Sequence, residues 1–379
     1  MLLKGKKIIK FILATIVSCI AITYLLSCLT PFINPRYCFV FTFLALGFPI
    51  ILLTMLLVVL VCIFINRKLF LCSILILLLG YKNISSTIGF HFSNSTKQSG
   101  KNTIKILSWN VDGFIYEIYP DIFDKKKRTK MIEYIKSTNA DILCLQDNTF
   151  CKAHGKIPDD IKEIESMGYP YHVISEDYCS EHNSRKYGTA IFSKYPIISS
   201  NKINYKGINY ESLLYADINI NNKKCRIFTT HLRSMRLKRE TFNTWEDYIM
   251  VQQDTADILD KSKFHKLIYF DKKHTEQAIL SKQIMDTTKS PFIFCADLNS
   301  VPTSYVYHHL AKGLKDAFLE KGFGFGKTYS ELSPTLRIDV MLTTPDIKTI
   351  NYSSPKLNLS DHYPVVATVS LSDNYKINY

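Results

Sequence analysis

Asp297 and Asn299 close the run PFIFCADLNS at residues 291–300, and Asp361 and His362 open LSDHYPVVATVSL at 359–371. Each polar pair meets an apolar, β-prone run, the pattern of groups held at the ends of buried strands. Side chains alternate along a strand, so Asp297 and Asn299, two apart, are expected to point the same way. There they can hold a water and a phosphoryl oxygen. Four further segments repeat the arrangement: IKILSWNVDGF (104–114) ends in Asn110 and Asp112, ADILCLQDN (140–148) delivers Gln146 and Asp147, RIFTTHLRS (226–234) carries His231, and LRIDVMLTT (336–344) carries Asp339. Carboxylates, amides and imidazoles gathered at strand ends compose a divalent-metal phosphoryl-transfer site. Hard oxygens hold the ion, amides bind oxyanions, and an Asp–His pair manages protons. Taken singly, an Asp at a strand end is more often a turn or cap residue, and a lone His a satisfied core or surface group. The joint order and spacing carry the reading.

The motifs SWN (108–110), LQD (145–147), YGTAIFSKYPI (187–197), TTHL (229–232), ADLNS (296–300), RIDVM (337–341) and SDHYPV (360–365) follow one another over residues 103–371. In this order they resemble the endonuclease/exonuclease/phosphatase superfamily, the deoxyribonuclease I-like hydrolases. The resemblance implies an α/β (α+β) fold, a four-layer sandwich of two mixed, mainly antiparallel sheets with outer helices and the site at one end. It also implies a cofactor, Mg²⁺ or Mn²⁺, and a phosphoester substrate that is a nucleic acid, a phospholipid head group or another phosphodiester. Carried over by residue, it assigns Asn110, Asp147 and Asp361 to the metal, and Asp297 to orienting or deprotonating the attacking water. Asn299 binds a nonbridging phosphate oxygen, His362 contacts the phosphate with Asp339 polarising it, and His231 is a phosphate-binding or acid histidine. Asp112 matches an acidic position of the abasic-endonuclease branch. Tyr187 lies one residue out of register with a phosphate-binding tyrosine of some relatives.

One residue departs from the family pattern. Asp147 stands where the superfamily usually has Glu, and its side chain is shorter by about 1.5 Å. Mg²⁺ tolerates poor geometry badly, so two functions follow: a metal-dependent phosphodiester hydrolase, or a catalytically impaired membrane-tethered scaffold that keeps the fold. The retention of Asp297, Asn299, Asp339, Asp361 and His362 favours the enzyme.

The first hundred residues are of another kind. Residues 11–30 and 37–65 contain no charged side chain, and each is long enough to cross about 30 Å of hydrocarbon at 1.5 Å per residue. The expected organisation is a membrane segment at 1–92 with helices over 8–30, 37–65 and 69–92, a polar linker at 93–102, and the catalytic domain at 103–371. The third helix competes with an interfacial one, because Lys82 interrupts it. Lysines at 4, 6, 7 and 10 precede the first apolar stretch as in a signal peptide, but the stretch is long and a second span follows at once. With Arg67 and Lys68 after the second span and only Arg36 between the two, the basic residues place the N-terminus in the cytoplasm. Three spans then make a multi-pass protein with an extracytoplasmic catalytic domain; two leave that domain cytoplasmic.

Charge follows the same division. Residues 1–99 hold nine of the 47 Lys and Arg and none of the 33 Asp and Glu, so the remainder has 38 basic against 33 acidic residues, a net of +5. This mild balance suits a phosphate-bearing substrate or anionic lipid surface without demanding nucleic acid. The basic patches at 124–130 and 236–240 read as solvated helix faces. Ten cysteines without CxxC or His–Cys spacing are neither a metal site nor a disulfide framework. Helices are expected over 127–137 and from about 239 to 288, the latter interrupted around KFHKLIYFDKK. Nothing marks an obligate protein partner.

Overall fold

A computed structural model describes residues 2–91, 103–115, 124–151, 159–179, 185–206, 211–235 and 262–371. The N-terminal segment forms α1 (Leu2–Ser27), α2 (Val40–Ile65), α3 (Arg67–Leu79) and α4 (Tyr81–Thr87). The strands are β1 (Gly89–Phe90), β2 (Thr103–Asn110), β3 (Ile142–Cys151), β4 (Tyr171–Ile174), β5 (Tyr178–Cys179), β6 (Arg185–Ser193), β7 (Ile197–Asn204), β8 (Ser212–Ile220), β9 (Lys223–His231), β10 (Phe292–Asp297), β11 (Lys315–Asp316), β12 (Phe323–Gly324), β13 (Asp339–Thr343), β14 (Lys348–Ser353) and β15 (Val365–Ser370). Five helices accompany them: α5 (Lys125–Thr138), α6 (Asp160–Ser166), α7 (Lys263–Asp286), α8 (Tyr305–Leu310) and α9 (Ala317–Lys321).

Period-two alternation decides the layers. Along β2, Ile104 and Ile106 join a core shared by both sheets, whereas Leu107 and Trp109 face Met131 and Ile135 of α5. Along β10, Ile293 and Cys295 enter the shared core, whereas Phe294 and Ala296 meet Phe270 and Ala278 of α7. The result is the expected four-layer sandwich. One sheet runs β14-β15-β2-β3-β6-β4 with β5 beside β6, and the other runs β11-β13-β10-β9-β8-β7. Among these pairings only β2–β3 and β9–β10 are parallel.

Helix α7 corrects the expected interruption. KFHKLIYFDKK is its continuous first half, because Lys266, Phe270 and His274 share a buried face with Gln277, Ser281 and Met285 at helical spacing. Residues 239–261 of that reading, the linker at 93–102 and the patch at 236–240 lie outside the described residues.

Among the described residues of the N-terminal segment, only α2 is by itself long and apolar enough to cross a membrane; the apolar part of α1 is the shorter Phe11–Ser27. The third segment, expected as one helix over 69–92, is broken: α3 and α4 meet at 59°. The break is at Gly80, where a Cβ would lie 1.9 Å from the Tyr24 hydroxyl, which itself donates to Leu77 O at 2.7 Å. The chain bends to let Tyr24 in, and only glycine allows that approach.

The N-terminal helical segment is also fixed to the sandwich, which its polar linker in sequence did not suggest. Thr30 Oγ1 donates to Thr303 O and Thr303 Oγ1 to Ala45 O, both at 2.7 Å. Thr42 donates to Asp271, and Arg337 Nη2 donates to Ser86 O at 2.8 Å. Strand β1 pairs with β12, and Phe43 of α2 stacks on Phe264 of α7 with ring centroids 4.6 Å apart.

Candidate active site

Strand direction brings the functional groups to one end of the sandwich. Asn110 and His231 end β2 and β9, each parallel to a neighbour, and Asp297 ends β10. β13 and β15 run antiparallel to β10 and β2, so their beginnings lie at that same end: Asp339 pairs with Asp297 in register, and Val365, just after the Asp361–His362 pair, with Ser108. Alternation then selects the face. Asn110, Gln146, His231, Asp297 and Asp339 each stand an even number of residues from Ile106, Cys144, Ile227, Cys295 and Met341, whose side chains fill the space between the sheets. His231, Asp297 and Asp339 form one row across three adjacent strands.

Asp297 is fully buried at the centre of this row. Its Oδ2 accepts from Asn110 Nδ2 at 2.9 Å and lies 3.5 Å from both His231 Nε2 and His362 Nε2. Burial raises its pKa, with the two imidazoles pulling it back down. His362 Nδ1 contacts both Asp339 oxygens, at 2.9 and 3.1 Å. Burial alone would push this imidazole down, but the Asp339, Asp297 and Asp361 carboxylates outweigh it and hold His362 well above its ordinary value. The loop is fixed from outside the site: Trp109 Nε1 donates to His362 O at 3.0 Å, and Ser360 Oγ to Asn110 O at 2.9 Å.

Asn299 and Asp112 are positioned differently from the expectation. Both lie just past a strand, at φ 45°, so strand alternation does not aim them. Asn299 turns back instead: its backbone N–H donates to Asp297 Oδ1, while Nδ2 donates to Leu232 O at 2.8 Å and faces His231 Nε2 at 3.1 Å. An amide nitrogen can only donate, so His231 Nε2 accepts there. A phosphate oxygen would bind Asn299 by replacing His231. Asp147 occupies a bulge between Leu145 and Asn148 of β3, at φ 47°, a conformation Asp tolerates better than most residues.

All eight expected residues except the enclosed Asp297 and Asp339 line a single cavity of about 940 Å³, joined by Asp112, Ser300 and Tyr329. Tyr187 lies beside a smaller adjoining space shared by Asp147 and His231. Asn110, Asp147 and Asp361 line the cavity and are residue types whose oxygens suit a hard divalent cation, the Asn110 oxygen also accepting from the Asp112 N–H at 3.1 Å. Asp297, Asp339 and His362 also bring ligand atoms within 4.8 Å of one another. In that trio the Asp339 carboxylate holds His362 through Nδ1 and leaves Nε2 facing Asp297.

Beyond Gln146, sequence reasoning missed the supporting shell. His274 is fully buried behind the row, contacting Arg233 O and, at 3.2 Å, Ser300 Oγ; burial lowers its pKa to about 4. Gln146 Nε2 ties the sheets together beneath the site by donating to Ser108 and Thr229, both at 3.0 Å. Thr328 Oγ1 accepts from the backbone N–H groups of Ile338 and Asp339. His274 stands in a Lys-rich helix with no motif around it, so only helical spacing to Phe270 and Gln277 hinted at its burial.

Residues 107–362 match the endonuclease/exonuclease/phosphatase family, and residues 6–87 match a domain of unknown function. The chain belongs to the endonuclease/exonuclease/phosphatase family. A curated relative, a DNA-(apurinic or apyrimidinic site) endonuclease of Dictyostelium discoideum, is 33% identical over 95 residues, 25% of this chain and 21% of that protein. The chain thus matches about a fifth of that relative's length. Among solved structures, an endonuclease/exonuclease/phosphatase from Bacteroides vulgatus aligns over 71% of this chain and 99% of its own, with 15% identity and a TM-score of 0.50. The human Nocturnin catalytic domain with bound sulfate aligns over 71% of this chain and 95% of its own, with 18% identity and a TM-score of 0.49. At these identities the structures are similar in fold.

Proposed function

We propose that the protein is a membrane-anchored, divalent-metal-dependent phosphoesterase whose catalytic domain spans residues 103–371, behind a membrane segment at 1–92 and a linker at 93–102. The observation that carries this reading is the buried row His231–Asp297–Asp339 with His362 bridging Asp339 and Asp297. Asp297, with a raised proton affinity and no exposed surface, accepts a proton from the attacking water. His362, held cationic by Asp339, donates a hydrogen bond to a nonbridging phosphoryl oxygen as negative charge grows there. Asn299 and His231 take a second oxygen. Asn110 holds Asp297 in place. Mg²⁺ or Mn²⁺ bound by Asn110, Asp147 and Asp361 would neutralise phosphoryl charge and acidify the water.

The topology is part of the same proposal. The sandwich contacts the C-terminal end of α1, the N-terminal end of α2 and α4. Those ends are opposite the chain's N-terminus and the α2–α3 turn at Asn66. This supports α1, α2 and the bent α3–α4 pair as a multi-pass anchor with the catalytic domain across the membrane from the N-terminal lysines. The test is hydrolysis of bis(p-nitrophenyl) phosphate by the full chain in detergent. The reading expects turnover with Mg²⁺ or Mn²⁺ that EDTA abolishes; equal turnover in EDTA would remove the metal from the account.

A further inference from the structure

The active-site cavity has one wall that the catalytic fold does not supply. Phe43, Leu46 and Ile50 of α2 line it together with Gly47. Their spacing of three and four residues puts them on one helix face. Ile50 is 71% exposed, and the stripe continues past the cavity through Leu53 and Leu57, 67% and 60% exposed. The apolar wall therefore runs without interruption onto the outer surface of a helix long enough to cross a membrane. Met235, Leu267 and Leu332 face it from the sandwich. Ile50 is ten residues into α2, about 15 Å along its axis, so the opening reaches below the end of the helix where the sandwich sits. The same cavity is also lined by Asn110, Asp147, His231, Asn299, Asp361 and His362.

We infer that the substrate is a membrane lipid carrying a phosphoester, admitted sideways from the bilayer, with its chain on the α2 stripe and its phosphate at the Asp297–His362 centre. This rests on the phosphoesterase reading above and names its substrate class. A polyanionic nucleic acid finds no partner on an apolar wall and would leave it wet, whereas an amphiphile matches both linings of the cavity. The reaction is hydrolysis: water oxygen bonds to phosphorus, one phosphorus–oxygen ester bond breaks, and the proton lost by the water ends on the departing alcohol.

The experiment uses the full chain in dodecylmaltoside micelles with Mg²⁺. The substrates are dioleoyl phosphatidylethanolamine, phosphatidylglycerol and phosphatidylinositol 4-phosphate, their water-soluble deacylated counterparts, a short single-stranded DNA, and bis(p-nitrophenyl) phosphate. At least one dioleoyl lipid should be cleaved about a hundredfold faster, in kcat/KM, than its deacylated counterpart and than the DNA, since remote binding energy is available only to the acylated form. Gly47→Phe projects a ring into the cavity, because a Cβ there meets only Ile51, at 3.7 Å. It should lower the ratio of lipid to bis(p-nitrophenyl) phosphate turnover about tenfold. Leu75→Trp, on exposed α3 surface away from the cavity, should leave that ratio unchanged. Cleavage of bis(p-nitrophenyl) phosphate or DNA with every lipid intact, or a lipid rate unaffected by deacylation, would overturn the lipid inference and leave the phosphoesterase standing. No cleavage of any substrate would overturn both.

Discussion

The Asp339 carboxylate lies 2.9 Å from His362 Nδ1, which leaves His362 Nε2 pointing toward Asp297, 3.5 Å away. One carboxylate thus fixes the ring and its charge while a second waits on the far nitrogen. Asp339→Asn keeps the shape and removes the anion, so kcat should fall by about a hundredfold. KM should change far less, and the alkaline limb of the pH–rate profile should move to lower pH as His362 loses its proton more readily. A profile unchanged in position would show that Asp339 does not set the His362 charge.

Asp147 tests the metal assignment. If it binds the ion, Asp147→Ala should abolish metal-dependent turnover, and Asp147→Asn should raise the Mg²⁺ half-saturation concentration by removing an anionic ligand. Asp147→Glu, which restores the family's residue, should be tolerated or faster. Measured kcat and Mg²⁺ half-saturation that ignore Asp147→Ala would place the ion elsewhere. Absence of turnover in every variant and in the parent would favour the scaffold reading.

Asp271 couples the sandwich to α2 through Thr42. Burial raises its pKa from 3.8 to about 6, so its contribution to stability is complete below the unfolded value and is lost as pH rises through about 6. The loss amounts to about 3 kcal/mol by neutral pH. Asp271→Asn keeps an acceptor for Thr42 without the charge. Thermal unfolding in detergent should show the variant melting higher than the parent at pH 7.5, by about 5 °C, and level with it near pH 4. A variant that melts lower at pH 7.5 would mean the ionised carboxylate is stabilised in place.

Arg337 is fully buried, with Nη1 2.7 Å from Asp316 Oδ2 and Nη2 on Ser86 O. Arg337→Met fills similar space but strands the Asp316 charge and frees the α4 carbonyl. Unfolding free energy should drop by about 3–5 kcal/mol. Replacing Asp316 by Asn in the same background should recover part of it, which a double-mutant cycle measures.

Much of this was legible before the structure because polar groups interrupted apolar alternation at fixed places. Asn110, His231, Asp297 and Asp339 were recognisable as strand-end groups, and even-step spacing from Ile106, Ile227, Ile293 and Met341 put them on one face. The bulge at Asp147 and the turned-back Asn299 were not legible, since both depend on left-handed backbone that no apolar pattern encodes. The contact between the N-terminal helices and the sandwich was hidden for another reason. Thr30, Thr42, Ser86 and Thr303 are small polar residues whose partners lie more than 200 positions away, and helical or strand periodicity reports nothing about such pairs. The break at Gly80 likewise depends on Tyr24, in a different helix.

The central claim is that Asp297 and His362 perform a metal-dependent hydrolysis, and kcat for bis(p-nitrophenyl) phosphate with saturating Mg²⁺ tests it most directly. Asp297→Ala and His362→Ala, each shown to be folded by its melting transition, should lower kcat by about two to four orders of magnitude. Turnover within about threefold of the parent in both variants, against the hundredfold minimum expected of such groups, would contradict the account.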